Sequence, residues 1–129
     1  MISIERFTEI LDELYQEVPE DILEGLNLGV AVGEELKVHD KAINNDLYVL
    51  GQYKRSGMGK GVMIYYGSFM HLYGRVSEER LRERMRQVLY HELRHHMEYR
   101  ANNKDLEVED AIFIAKYQNR MTKENNEEE

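Results

Sequence analysis

Tyr90-His91-Glu92-Leu93-Arg94-His95-His96-Met97-Glu98 lies toward the end of a long helical pattern that runs from Ser77 to about Ala101. Ser77 is a good N-cap, and Glu78 and Glu79 fill the first turn, where the helix dipole favours negative charge. At about 100° per residue, with Leu81 at zero, Met85 falls near +40°, Val88 near −20°, Leu89 near +80°, His96 near +60° and Tyr99 near 0°. These positions form an inward stripe centred near +20°, and Glu92 lands in its middle. An unpaired carboxylate there costs several kcal/mol, so the position demands a reason. His91 and His95 fall near −80° and −40°, one turn apart on the flank of that stripe. Imidazoles at i and i+4 can converge on one ion, and a Glu directly after the first His then points at the ion's open side. The helix therefore reads as a His-Glu-x-x-His metal site, with His91 and His95 as ligands and Glu92 facing a water that it deprotonates.

Working outward, Ile4, Phe7, Ile10, Leu11, Leu14 and Val18 recur at helical spacing behind Ser3, which predicts an amphipathic helix over Ile4 to Glu17. Pro19 opens a short second helix, Glu20 to Glu24, that Gly25 stops. Leu26, Leu28, Val30 and Val32 alternate as a strand does, and two further β-rich runs follow at Leu47 to Tyr53 and Val62 to Tyr66. The glycines of Ser56 to Gly61 precede a strand rather than a helix, so they read as a hairpin connection and not a phosphate loop. Gly67 to Gly74 reads as a short helical turn or irregular connection. A last helix is expected over about Glu107 to Arg120, and Glu124 to Glu129 as an acidic, disordered tail. The expected organisation is one domain over residues 1–120 with a tail over 121–129.

Composition narrows the function. The chain of 129 residues has no cysteine, which excludes thiolate metal sites and cysteine nucleophiles, so any metal must sit on His, Asp or Glu. Its net charge of −8 disfavours nucleic acid and anionic membranes as partners. Arginine concentrates after Ser77, but Arg80, Arg82, Arg84, Arg86, Arg94 and Arg100 are interleaved with Glu78, Glu79, Glu83, Glu92 and Glu98, the pattern of a salt-bridged helix face. The N-terminal residues carry acids where a secretory signal would be basic and then apolar, and no run is apolar enough to span a bilayer. A cytoplasmic location is expected.

On the leading helix, Pro19-Glu20-Asp21-Ile22-Leu23, the strands, the His-Glu-x-x-His helix and Asp105 to Asp110, the sequence resembles the small bacterial zincin-like metallopeptidases, the minimal or Asp-zincin group. The resemblance implies an α+β, minimal zincin-like domain: a small three- to four-stranded sheet packed against the long helix, with flanking N- and C-terminal helices. It implies Zn2+ as cofactor, a peptide or protein as substrate, hydrolysis by metal-activated water, His91 and His95 as ligands, and Glu92 as general base. The group's short pattern places Gly and then Asp after the second His, but Glu98 and Ala101 stand there; a match reappears as Asn102-Asn103-Lys104-Asp105. Asp105 is the favoured third ligand, Glu98 the alternative, and Asp110 and Glu109 are outsiders. The alternative function is a non-catalytic metal-binding or protein-interaction module on the same fold. His96 reads as a hydrogen-bonded core histidine, and His39 and His71 as surface or supporting residues.

Overall fold

A computed structural model describes residues 1–42, 47–102 and Lys116. Its helices are α1 (Ile4–Glu17), α2 (Glu20–Leu23), α3 (Tyr66–Tyr73) and α4 (Glu78–Ala101), and its strands are β1 (Gly29–Gly33), β2 (Lys37–Val38), β3 (Tyr48–Val49), β4 (Gly51–Ser56) and β5 (Gly59–Tyr65). The architecture is α+β, with a small sheet packed against helices. The expected last helix and acidic tail lie outside the described residues.

Local chemistry sets the ends of the helices. The Ser3 Oγ accepts from the Arg6 N–H at 3.1 Å, and the Ser77 Oγ accepts from the Arg80 N–H at 3.2 Å, so each hydroxyl satisfies a backbone donor that has no intrahelical partner. Gly25, at φ +84°, takes the left-handed conformation just beyond α2, where a side chain would be strained. The apolar face of α1 buries Phe7, Ile10, Leu11 and Leu14, and that of α4 buries Leu81, Met85, Val88, Leu89, Leu93 and Met97. These faces meet in one hydrophobic core with Val62 and Ile64 of β5 and Phe69 of α3. Of the α4 arginines, Arg82 and Arg86 reach across to Glu13 and Glu17 of α1 at 2.7 and 3.3 Å, while Glu78 receives Arg6 at 2.6 Å. Part of the charged face thus binds α1 to α4, while Arg100 reaches Asp21 O and Glu24 at α2 and Arg84 reaches the Tyr73 hydroxyl of α3.

The sheet supplies a strand order and departs from the expected runs at two places. β5 is central in the order β1-β5-β4, with β1 parallel and β4 antiparallel to it. The single expected run from Leu47 to Tyr53 divides at Leu50: β3 pairs with β2 in a separate two-stranded ribbon, and β4 pairs with β5. The first strand begins at Gly29, because the chain before it turns, with the Gly29 N–H donating to Leu26 O at 3.1 Å, which buries Leu26 and leaves Leu28 exposed. Gly67 to Tyr73 belongs to a full helix, α3, whose Ser68 side chain accepts the Lys37 N–H at 2.8 Å and so fixes the ribbon against it.

Within the main sheet β4 has a free edge among the described residues. Leu50 O accepts from the Tyr65 N–H, so strand alternation turns the backbone groups of Gly51, Tyr53 and Arg55 away from β5. That edge runs beside α4 and forms one wall of the site.

Candidate metal centre

His91, Glu92 and His95 open onto a cleft of about 680 Å³ whose other wall is Gly51 to Tyr53 and Arg55 of β4, with His39, Tyr99 and Asn102 around it. A second lobe of about 510 Å³ continues past His91 and Glu92 to the apolar side chains of Tyr48, Val49, Leu50 and Val88. Helical spacing stacks the two imidazoles one turn apart. Their rings stand perpendicular with centroids 5.1 Å apart.

Glu92 is 9% exposed. Its Oε1 accepts the Tyr53 N–H at 3.0 Å, one of the donors that β4 turns away from β5. Burial pushes the Glu92 carboxyl above the usual carboxylate range, opposed by the nearby His95 charge, the Tyr53 hydrogen bond and Arg94. Burial, and then repulsion from His95, push His91 below the ordinary histidine value, which favours the neutral ring that a metal requires. His95 is the more open of the pair, with Glu98 Oε1 3.5 Å from its Nδ1.

His96 is fully buried and faces away from this pair. Its Nε2–H donates to Glu24 O at 2.8 Å and its Nδ1 accepts from the Tyr53 hydroxyl at 2.7 Å, an assignment that follows from Glu24 O being an acceptor only. Burial lowers its proton affinity and pushes the Tyr53 hydroxyl up to about 12. Tyr53 therefore ties the edge strand to α4 twice, by its backbone to Glu92 and by its hydroxyl to His96.

Among the described residues no group of three or more His, Asp or Glu side chains is assembled to hold an ion. Asp105 lies outside the described residues, as do Glu109 and Asp110. Glu98 is engaged with His95 and sits 3.9 Å from the Arg94 Nε.

No protein-family model and no curated protein matches the sequence. A solved structure does: a conserved hypothetical protein, TTHA0227, from Thermo thermophilus, 32% identical, with a TM-score of 0.64, over 77% of this chain and 97% of that one. The chain belongs to the family of TTHA0227.

In this member of the TTHA0227 family, three parts of the cleft arise from contacts distant in sequence. His39, read from sequence as a surface or supporting residue, lines both lobes; its Nδ1 accepts the Lys41 N–H at 3.0 Å. Arg55 extends the wall along β4. Gly51 lets α4 approach the sheet: a Cβ there would lie 2.8 Å from Val88 Cγ1 and 3.3 Å from Glu92 Cγ. A glycine inside a β-rich run is the signal in the sequence for such a close approach. Gly51→Ala is expected to cost about 1–3 kcal/mol by overpacking. Gly57→Ala, whose Cβ would meet nothing within 4 Å, serves as a near-neutral control in the same denaturant titration. Equal midpoints for the two variants would show that α4 does not press on β4 at Gly51.

Proposed function

We propose that this protein is a zinc-dependent peptidase of the minimal zincin type, with His91 and His95 holding the ion and Glu92 as general base. The observation that carries the reading is a buried carboxylate held by an edge-strand N–H beside two helical histidines, all on one cleft. The donor set fits zinc: two imidazoles at i and i+4, one with depressed proton affinity, in a fold with no thiolate to compete. Asp105 is the proposed third ligand, with Glu98 as the alternative.

When bound, zinc would supply Lewis acidity toward a carbonyl and a water acidified to a pKa of about 7. The protein's own part follows from the geometry. Tyr53 N–H fixes Glu92 Oε1, and Oε2, without a hydrogen bond from any described residue, accepts the proton of the attacking water and returns it to the leaving amine. A carboxylate whose proton affinity is held above the ordinary range takes that proton more readily than a fully solvated one. The free edge of β4 offers the outward backbone groups of Gly51 and Arg55 to an extended peptide.

Elemental analysis of protein purified without added metal, together with cleavage of a broad peptide library with and without a chelator, tests the proposal. Stoichiometric zinc with chelator-sensitive cleavage supports it. Bound zinc without cleavage selects the non-catalytic metal-binding module, which the assembly of only two histidines among the described residues favours. Protein without metal overturns both.

A further inference from the structure

Arg55 and Lys60 face each other directly across the antiparallel β4–β5 pair. Like charges placed opposite one another in a sheet repel, so the arrangement works against the fold. Both cations converge on one ring: the Arg55 guanidinium is 4.3 Å and the Lys60 Nζ 5.5 Å from the centroid of Tyr99. The chain has 25 acidic residues against 17 basic ones, yet among the described residues neither cation is paired with a carboxylate. Arg55 and Tyr99 line the same cleft as His91, Glu92 and His95. Stacking on a tyrosine holds a guanidinium in one plane and leaves its N–H edge for a planar anion, the geometry that a carboxylate matches with two hydrogen bonds.

We infer that Arg55, Lys60 and Tyr99 form a carboxylate subsite, which makes the protein selective for peptides that carry an acidic side chain or a C-terminal carboxylate at the α4 C-terminal end of the cleft. The inference rests on reading the cleft as a peptide site. It names the substrate class. The opposite lobe is lined by Val49, Leu50 and Val88 together with His39 and Arg84, so the selectivity is assigned to the Tyr99 end of the cleft alone.

The test uses binding rather than turnover. Fluorescence anisotropy is measured on the full chain after chelator treatment with three labelled peptides of one sequence: Glu at the probed position with an amidated end, Gln with an amidated end, and Gln with a free C-terminus. The Glu peptide, the free-acid peptide or both should bind about fivefold or more tightly than the neutral one, and whichever does so tells a side-chain from a terminal carboxylate. Arg55→Gln should abolish the preference, and Arg55→Glu should turn it toward a Lys peptide; Arg55 is exposed, so both variants should fold. Equal affinity for all three peptides, or a preference unchanged in Arg55→Glu, overturns the subsite. Zinc content and cleavage measured on the same preparations separate the two proposals: a charge preference without zinc removes only the peptidase reading, and zinc-dependent cleavage without a charge preference removes only the subsite.

Discussion

Glu92→Gln is expected to lower peptide turnover by about 10²–10⁴-fold while leaving zinc bound and the fold intact. The amide keeps an oxygen for the Tyr53 N–H, so the bond that anchors the position at 3.0 Å survives, and neither histidine is touched. What disappears is the oxygen that can take a proton. A purely structural role predicts the opposite pattern, because removing a carboxylate the fold depends on should cost stability. Here the carboxyl is held above its unfolded value of 4.5 by burial. The folded state therefore binds more protons than the unfolded state just above that value, so the residue's contribution to stability is present below pH 4.5 and is lost as pH rises through the folded pKa. In metal-free protein the variant should melt at or above the wild type at neutral pH, and the gap should close as the pH is lowered toward 4.5. Wild-type cleavage rates in the variant would remove Glu92 as the base. A variant that melts lower at neutral pH would show that the carboxylate is retained for the fold.

How much of this was legible in the sequence depends on range. The bounds of α1 and α4 follow from Ser3 and Ser77 and from apolar residues three and four apart, all read within a few turns of chain. Glu92 as an inward carboxylate follows from the same periodicity, as does His96 as a core histidine. The inward face itself drifts: Leu93 and Met97, near +120° and +160° on the same wheel, are buried too, which turns the core away from His91 and His95 and leaves them on the cleft. The parallel pairing of β1 with β5, the division of the Leu47 to Tyr53 run at Leu50, and the second grip of Tyr53 on α4 each join residues far apart in sequence. Strand propensity gives a run of residues and no partner. α3, expected as a short helical turn or an irregular connection, is under-read for a similar reason: Tyr66 to Tyr73 is short and has no side-chain N-cap, and its helix is secured by burying Phe69 and Met70 and by the bond from Lys37 to Ser68. His39 and Arg55 reach the cleft only once the ribbon and β4 are in place, so no spacing rule could have found them.

Replacing both histidines, in His91→Ala/His95→Ala, should remove zinc binding altogether, and the effect can be read without any substrate. A ligand that binds only the folded state stabilises it by about 4 kcal/mol at a thousandfold excess over its Kd, which for a chain of this size raises Tm by on the order of 10 °C. Wild type should show that shift on titration with zinc, and the double variant should show none. The comparison is clean because the metal-free fold asks little of either ring. His91 makes no hydrogen bond to a described residue, and burial already disfavours its charged form. His95 is exposed, and its contact with Glu98, at 3.5 Å, is one that solvent screens. Metal-free wild type and double variant should therefore melt within a few degrees of each other, so that any zinc-dependent gap reports ligation and not folding. The same titration on Asp105→Ala and Glu98→Ala assigns the third ligand, since the substitution that weakens zinc binding more marks the donor. Should wild type itself show neither bound zinc nor a thermal shift, the histidines are incidental to the cleft, and the buried carboxylate must be explained by the Tyr53 N–H alone.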